Sequence, residues 1–266
     1  MPLARSRTSL AHELIGVPNE VQRLAMRARP DGEPISEQTW CRLLFLHWPW
    51  NPERLRSHIP GGLELDLHHG QAWITITAFS ISDFKPKSGP AIPGLSSFHE
   101  TNVRTYVHHE GVPGVWFLSL DASKTIPAMA ARFFLGLRYL KANIRAATRE
   151  GLHSYALKRN MPGAAPADFK ARWRAGRELK DPALGSREFF LVERYCLYSV
   201  QGSHLLRMRI YHPPWDLYEA EPLQFASTLI QALGLPEPEH EPLAHHGATR
   251  HVQLWAPEKL TRGTRR

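Results

Sequence analysis

Gly94–Ala142 reads GLSSFHETNVRTYVHHEGVPGVWFLSLDASKTIPAMAARFFLGLRYLKA and carries three signals in succession. First, Glu100, Asn102, Arg104 and Tyr106 occupy alternate positions, with His99 beside them. A strand sends alternate side chains to one face, so these four project together. Next, His109-Glu110-Gly111-Val112-Pro113-Gly114 is a hairpin signal that leads into the apolar run Val115 to Leu120. Last, Ser123 to Leu135, rich in Ala, Met and Phe, reads as a short buried helix stopped by Gly136. A carboxylate, an amide, a guanidinium and a phenol on one strand face suit an exposed surface or the polar wall of a pocket.

Outward from this stretch, strand candidates dominate. Trp40–Trp48 is strongly apolar, and Asn51-Pro52 then opens a helix to about His58, with Asn as N-cap and Pro at the first helical position. Leu63–Leu67 and Ala72–Phe84 read as strands joined at His69-Gly70. In the second, Trp73, Thr75, Thr77 and Phe79 alternate with Ile74, Ile76 and Ala78, so both faces look at least partly buried. Asn143–Thr148 and His153–Arg159 pair across Arg149-Glu150-Gly151, and Phe169, Ala171 and Trp173 mark a half-exposed strand. Ser186 to Phe189 starts a short helix, Glu193–Val200 and His204–Tyr211 pair across Gln201-Gly202, Pro222–Leu233 reads as a helix closed by Gly234, and His251–Trp255 is the last strand. The expected architecture is one α+β, β-rich domain over 36–260, with short helices capping a large antiparallel sheet or barrel. Residues 1–35, with a helix expected over Leu10–Met26, form an N-terminal arm, and 261–266 a basic tail.

The chain has 266 residues, 42% of them hydrophobic and 22% charged, enough for one sizeable core. Its formal charge is +8, yet Lys and Arg are spread along the whole chain with much of the excess in the two tails, which argues against nucleic acid as the main ligand. Cys41 and Cys196 are isolated, which excludes a disulfide framework and the common cysteine zinc sites. No apolar run approaches bilayer length and no secretory signal stands at the N-terminus, so a soluble cytoplasmic protein, open to homo-oligomerisation, is expected. Among 15 histidines, the pairs His68/His69, His108/His109 and His245/His246 are adjacent and point to opposite strand faces, and none has HExxH spacing, so no metal is expected. No Gly-rich phosphate loop and no GxSxG elbow occur, and no cofactor is expected.

FLHWPWNPERLRSHIPGGLELD, GLSSFHETNVRTYV, GVWFLSLDAS, ERYCLY and YHPPW recur in this order. With them the chain resembles the YqjF-like bacterial proteins of unknown function, over about Trp40 to Lys259. More faintly it resembles acetoacetate decarboxylase, which implies a barrel or cone with a central pocket. In that resemblance Glu100 falls on the active-site glutamate. Tyr139 stands where the Schiff-base lysine belongs, and Leu140 where the second lysine does. Schiff-base chemistry needs an amine with a depressed pKa, and a phenol cannot form an iminium, so the chain is not expected to be a true acetoacetate decarboxylase. Lys141, two residues on and on the same strand face, is either a displaced nucleophile or a strand-end lysine reaching solvent.

The resulting expectation is a pocket for a small organic acid or carbonyl compound. Glu100 would move a proton, Tyr139 would donate to a carbonyl oxygen and Lys141 is the remaining amine. Asn102, Arg104, Tyr106, Asp121 and His212 would contact the substrate. Three alternatives stay open: a structural Glu100–Arg104 ion pair, Asp121 as a helix cap, and His212-Pro213-Pro214-Trp215 as a rigid turn. An enzyme and a non-catalytic sensor or carrier fit the residues equally.

Overall fold

A computed structural model describes residues 16–87, 96–124, 136–137, 139–180 and 182–260. Among these residues three short α-helices, α1 (Glu20–Ala25), α2 (Pro52–Arg56) and α3 (Arg187–Val192), accompany fifteen strands. The strands are β1 (Ser36–Trp50), β2 (Glu64–Leu65), β3 (Ala72–Pro86), β4 (Phe98–His109), β5 (Val112–Ala122), β6 (Tyr139–Lys141), β7 (Asn143–Arg149) and β8 (Leu152–Arg159). After them come β9 (Ala167–Leu179), β10 (Cys196–Gln201), β11 (His204–Tyr211), β12 (Leu217–Ser227), β13 (Leu243–Gly247), β14 (Arg250–Leu254) and β15 (Glu258–Leu260). The helix expected over Ser123–Leu135 lies outside the described residues apart from Ser123 and Lys124.

β1 organises the sheet. Along one edge it pairs with β3. Its other edge is divided: Ser36–Trp40 pair with β14, and Leu43–His47 pair with β13. The division falls at a bulge between Cys41 and Leu44, where Arg42 takes φ of 54°. Bulges of this kind bend a strand and increase its twist, which lets one strand serve two neighbours. Through β14 the sheet closes into a seven-strand ring, β1-β3-β4-β5-β10-β11-β14. Through β13 it continues as β12-β9-β8-β7. Pairings are antiparallel except β5–β10 and β5–β6, which run parallel.

The β1-β3-β4 wall is therefore buried on both faces, as the double alternation of β3 predicts. Leu43, Phe45, Phe79, Ile81, Phe98, Val115, Leu120 and Leu197 belong to one apolar cluster inside the seven-strand barrel. Leu44, Leu46, Ile74, Ile76 and Val103 instead pack against Ile144, Leu157, Phe169 and Trp173 of the second layer. α3, capped by Ser186 Oγ on the Phe189 amide at 3.1 Å, buries Phe189, Phe190, Leu191 and Val192. The β4–β5 hairpin turns in two residues, Glu110 and Gly111, both at positive φ (48° and 80°), the type I′ geometry that matches strand twist.

The segment Pro222–Leu233 corrects the expectation of a helix. β12 runs through Ser227, and only Gln231–Leu233 form a 3-10 turn, closed by Gly234 at φ 78°. Ala220, Phe225 and Ala226 pair with β9, and the register shift between Glu221 and Gln224 absorbs Pro222. Long-range pairing overrides the helical spacing of the apolar residues. The described part of the N-terminal arm, from residue 16 on, is also tied down. Asn19 and Gln22 form a capping box on α1, and Arg23 reaches the buried Asp66.

Gly114 sits where β5 meets β10. A Cβ there would stand 2.7 Å from Cε2 of Tyr198 and 2.9 Å from the Cys196 carbonyl oxygen. Backbone on the partner strand cannot retreat easily, so Gly114→Ala is expected to destabilise by about 1–3 kcal/mol. An unchanged urea midpoint would show that this parallel seam has slack.

Candidate functional site

The registers of β1, β3, β4 and β5 arrange the barrel's inner face as rows. His47, Thr75, Arg104 and Phe117 lie side by side across four strands. The next row is Phe45, Thr77, Asn102 and Leu120, and beyond it stand Phe79, Glu100 and Ala122. Directly opposed residues have Cβ atoms about 5 Å apart, and successive rows are about 7 Å apart. The polar residues form one continuous patch on the wall of an apolar barrel.

At one end Tyr139 of β6 donates its hydroxyl to Oε2 of Glu100 at 3.1 Å. Burial pushes the Glu100 carboxyl up to about 7, even though the hydrogen bonds from Tyr139 and Asn102 favour the ionised form. Near neutral pH both protonation states are populated, as suits a proton-transfer group. Burial, and then the Glu100 charge, raise the Tyr139 phenol well above its ordinary value, so it remains a donor.

At the other end Arg104 donates Nη2 to the Leu191 carbonyl oxygen at 3.2 Å. The Tyr106 hydroxyl donates to the same oxygen at 2.9 Å. That oxygen is one of the last-turn carbonyls of α3 that have no partner within the helix. Arg104 lies over Phe45 and Tyr106, 5.5 and 5.9 Å from the ring centroids. Among the described residues no carboxylate pairs with it, and its Nε has no hydrogen-bond partner. The Glu100–Arg104 ion pair is absent for a geometric reason: four strand residues separate the two Cα atoms by about 13 Å.

Between the ends, Asn102 Oδ1 and Thr77 Oγ1 are buried without partners among the described residues. Thr75 bridges His47 Nδ1 at 2.8 Å and the Tyr106 hydroxyl at 2.6 Å. Two clefts approach the barrel from outside. One, of about 560 Å³, is walled by Phe117, Ser119, Leu120 and Leu137. The other, of about 550 Å³, is walled by Arg187, Glu188, Glu219 and His245.

Five of the eight residues singled out in the sequence thus share the barrel interior: Glu100, Asn102, Arg104, Tyr106 and Tyr139. The other three do not. Asp121 projects from β5 to the opposite face and is held by Arg159 Nε and Nη2 at 2.6 and 2.5 Å. One residue of register separates it from the Glu100 face. His212 is packed between Tyr195 and Trp215, both rings 4.6 Å away, which makes YHPPW a rigid turn around the buried Trp215. The Lys141 side chain is exposed at the end of β6. His47, Thr75, Thr77 and the Leu191 carbonyl were not singled out. The alternation Leu43-Phe45-His47 and Trp73-Thr75-Thr77-Phe79 carried the first three, and nothing local pointed to the carbonyl.

Residues 37–250 match the DUF2071 family, described as "Uncharacterized conserved protein (COG2071)". The chain is a member of the DUF2071 family. This DUF2071 protein is 36% identical to the "Uncharacterized protein YqjF" of Bacillus subtilis (strain 168) over 230 residues, covering 86% of this chain and 94% of that one. Among solved structures, the enduracididine biosynthesis enzyme MppR complexed with pyruvate superposes with a TM-score of 0.64 at 16% identity, covering 87% of this chain and 92% of that one. Acetoacetate decarboxylase from Legionella pneumophila superposes with a TM-score of 0.61 at 12% identity, covering 88% and 92%. At such identities the likeness establishes the fold: the DUF2071 chain has the acetoacetate decarboxylase-like barrel. No helix among the described residues is long and apolar enough to cross a membrane.

Proposed function

We propose that the barrel interior binds a small organic acid or carbonyl compound, with Arg104 attracting the carboxylate and Glu100 moving a proton. The observation that carries this reading is a carboxyl with a pKa of about 7, hydrogen-bonded to Tyr139 and separated along one strand face from a guanidinium without a carboxylate partner. The pyruvate complex of MppR is a neighbour's property that agrees with a small carboxylic acid as ligand class. The chemistry is acid/base catalysis of the lyase or isomerase kind. By the resemblance to acetoacetate decarboxylase, Tyr139 stands where a Schiff base would need an amine, and Lys141 is exposed.

The test is to incubate the protein in D2O with a panel of 2-oxo acids, 3-oxo acids and aldehydes, and to follow loss of the proton next to the carbonyl by NMR. Exchange is expected to fall by about 100-fold or more in Glu100→Gln. Affinity is expected to fall at least about 10-fold in Arg104→Ala. Exchange and affinity that survive both substitutions would sink the proposal. Binding lost in Arg104→Ala, with no proton exchange in the parent protein, would make the barrel a sensor or carrier instead, a reading favoured by the exposed Lys141.

A further inference from the structure

His47 is fully buried and neutral, because burial first, and then the nearby His245, Arg104 and Arg187, push its pKa well below the ordinary value. Its hydrogen-bond chain determines which nitrogen carries the proton. The Leu191 carbonyl can only accept, so Tyr106 gives it the phenol proton. With that proton committed, the Thr75 hydroxyl is the donor in the 2.6 Å contact with Tyr106. With the Thr75 proton committed in turn, His47 Nδ1–H is the donor in the 2.8 Å contact with Thr75. Nε2 is left as a bare acceptor.

That Nε2 has no partner among the described residues, and neither do Arg104 Nε, Thr77 Oγ1, Asn102 Oδ1 and His245 Nδ1. All five atoms are buried, and four belong to the two polar rows, with Thr75 between His47 and Arg104 in the first. Folded proteins rarely leave buried polar groups unpaired, and a cluster of them calls for an explanation. The His245 ring lies 5.2 Å from that of His47 and also lines the cleft beside α3, so one imidazole separates His47 from the surface.

We infer that the His47–Arg104 end of the interior selects a hydroxy acid, its hydroxyl donating to His47 Nε2 while Arg104 takes the carboxylate. This rests on the reading of the barrel as a small-acid site and adds the member of that class it prefers. A bare nitrogen lone pair rewards a hydroxyl, gains nothing from a methylene and opposes an oxo oxygen, which has lone pairs of its own.

The test uses acids of one chain length: 2- and 3-hydroxybutanoate, 2-oxobutanoate and butanoate, measured by calorimetry on the full chain. At least one hydroxy acid is expected to bind about 10-fold or more tightly than butanoate, and 2-oxobutanoate no better than butanoate. In His47→Asn the side-chain amide can still donate to Thr75, but nothing replaces Nε2, and the preference is expected to fall within about 3-fold. In His47→Gln the amide oxygen can reach the Nε2 position, so part of the preference should return even if the Asn variant fails to fold. Arg104→Ala should weaken all four acids together. Equal affinity of the parent protein for hydroxy acid and butanoate, as expected if a bound water satisfies His47, would overturn the inference and leave the small-acid reading standing. A preference unchanged in His47→Asn would also overturn it. No binding of any of the four acids would overturn both.

Discussion

Asp66→Asn is expected to destabilise the protein by about 3–5 kcal/mol, the usual result of removing one partner from a buried ion network. Asp66 is 1% exposed and holds two arginines. Its Oδ1 and Oδ2 accept from Arg23 at 2.5 and 2.6 Å, and Oδ2 also accepts from Arg194 Nη1 at 2.6 Å. Burial alone would push the carboxyl up, but the Arg194 and Arg23 guanidiniums outweigh it and hold Asp66 below its ordinary value. Asparagine keeps the shape but removes the buried anion from both cations, leaving Arg23 only the exposed Glu20 at 3.8 Å. Arg23 comes from α1 and Arg194 follows α3, so the substitution should loosen both helices from the barrel. A urea midpoint within error of the parent at pH 7 would show that the network is replaceable by solvent. Because the folded pKa is depressed, this stabilisation is present above the unfolded value of 3.8 and is lost as pH falls through the folded value.

Glu100→Gln is expected to act in the opposite direction on stability while removing proton transfer. The carboxyl titrates near 7 in the folded chain against 4.5 for the unfolded group. Between these values the native state keeps a proton that the unfolded state has released, so stability falls as pH rises through this window. The total is about 3 kcal/mol at about 1.4 kcal/mol per pH unit. Glutamine mimics the protonated acid and never ionises. The variant should match the parent near pH 4 and exceed it by about 3 kcal/mol at pH 8, a melting temperature roughly 6–12 °C higher. Equal melting temperatures at pH 8 would mean that Glu100 titrates as an ordinary carboxylate and would remove the support for acid/base chemistry. A residue that costs stability at working pH and yet is kept on the inner face of a barrel is one sign of a functional site.

Most strands were legible because their signals are local. The alternation of Phe169, Ala171 and Trp173, the Glu110-Gly111 and Glu150-Gly151 turns and the Asn51-Pro52 helix start each need only a few neighbouring residues. The same alternation placed Glu100, Asn102, Arg104 and Tyr106 on one face. It failed at Pro222 to Leu233, where apolar residues satisfy helical and extended spacing alike and pairing with β9 chose the strand as far as Ser227. It also could not exclude Asp121 and His212, since polarity and order in the chain do not tell which core a side chain enters.

The amino-acid sequence by itself determined most of the elements, the shared face of β4 and, through Tyr139, the expectation that Schiff-base chemistry is absent, because periodicity and chemical identity are properties of short segments. Only the tertiary structure decided that β1 divides between two partners and that Thr75 connects His47 to Tyr106. It also decided that the Leu191 carbonyl, nearly ninety positions from Arg104, compensates that cation while no carboxylate among the described residues does. These are contacts between segments far apart in the chain, formed by strand register and barrel closure, and no local pattern records them.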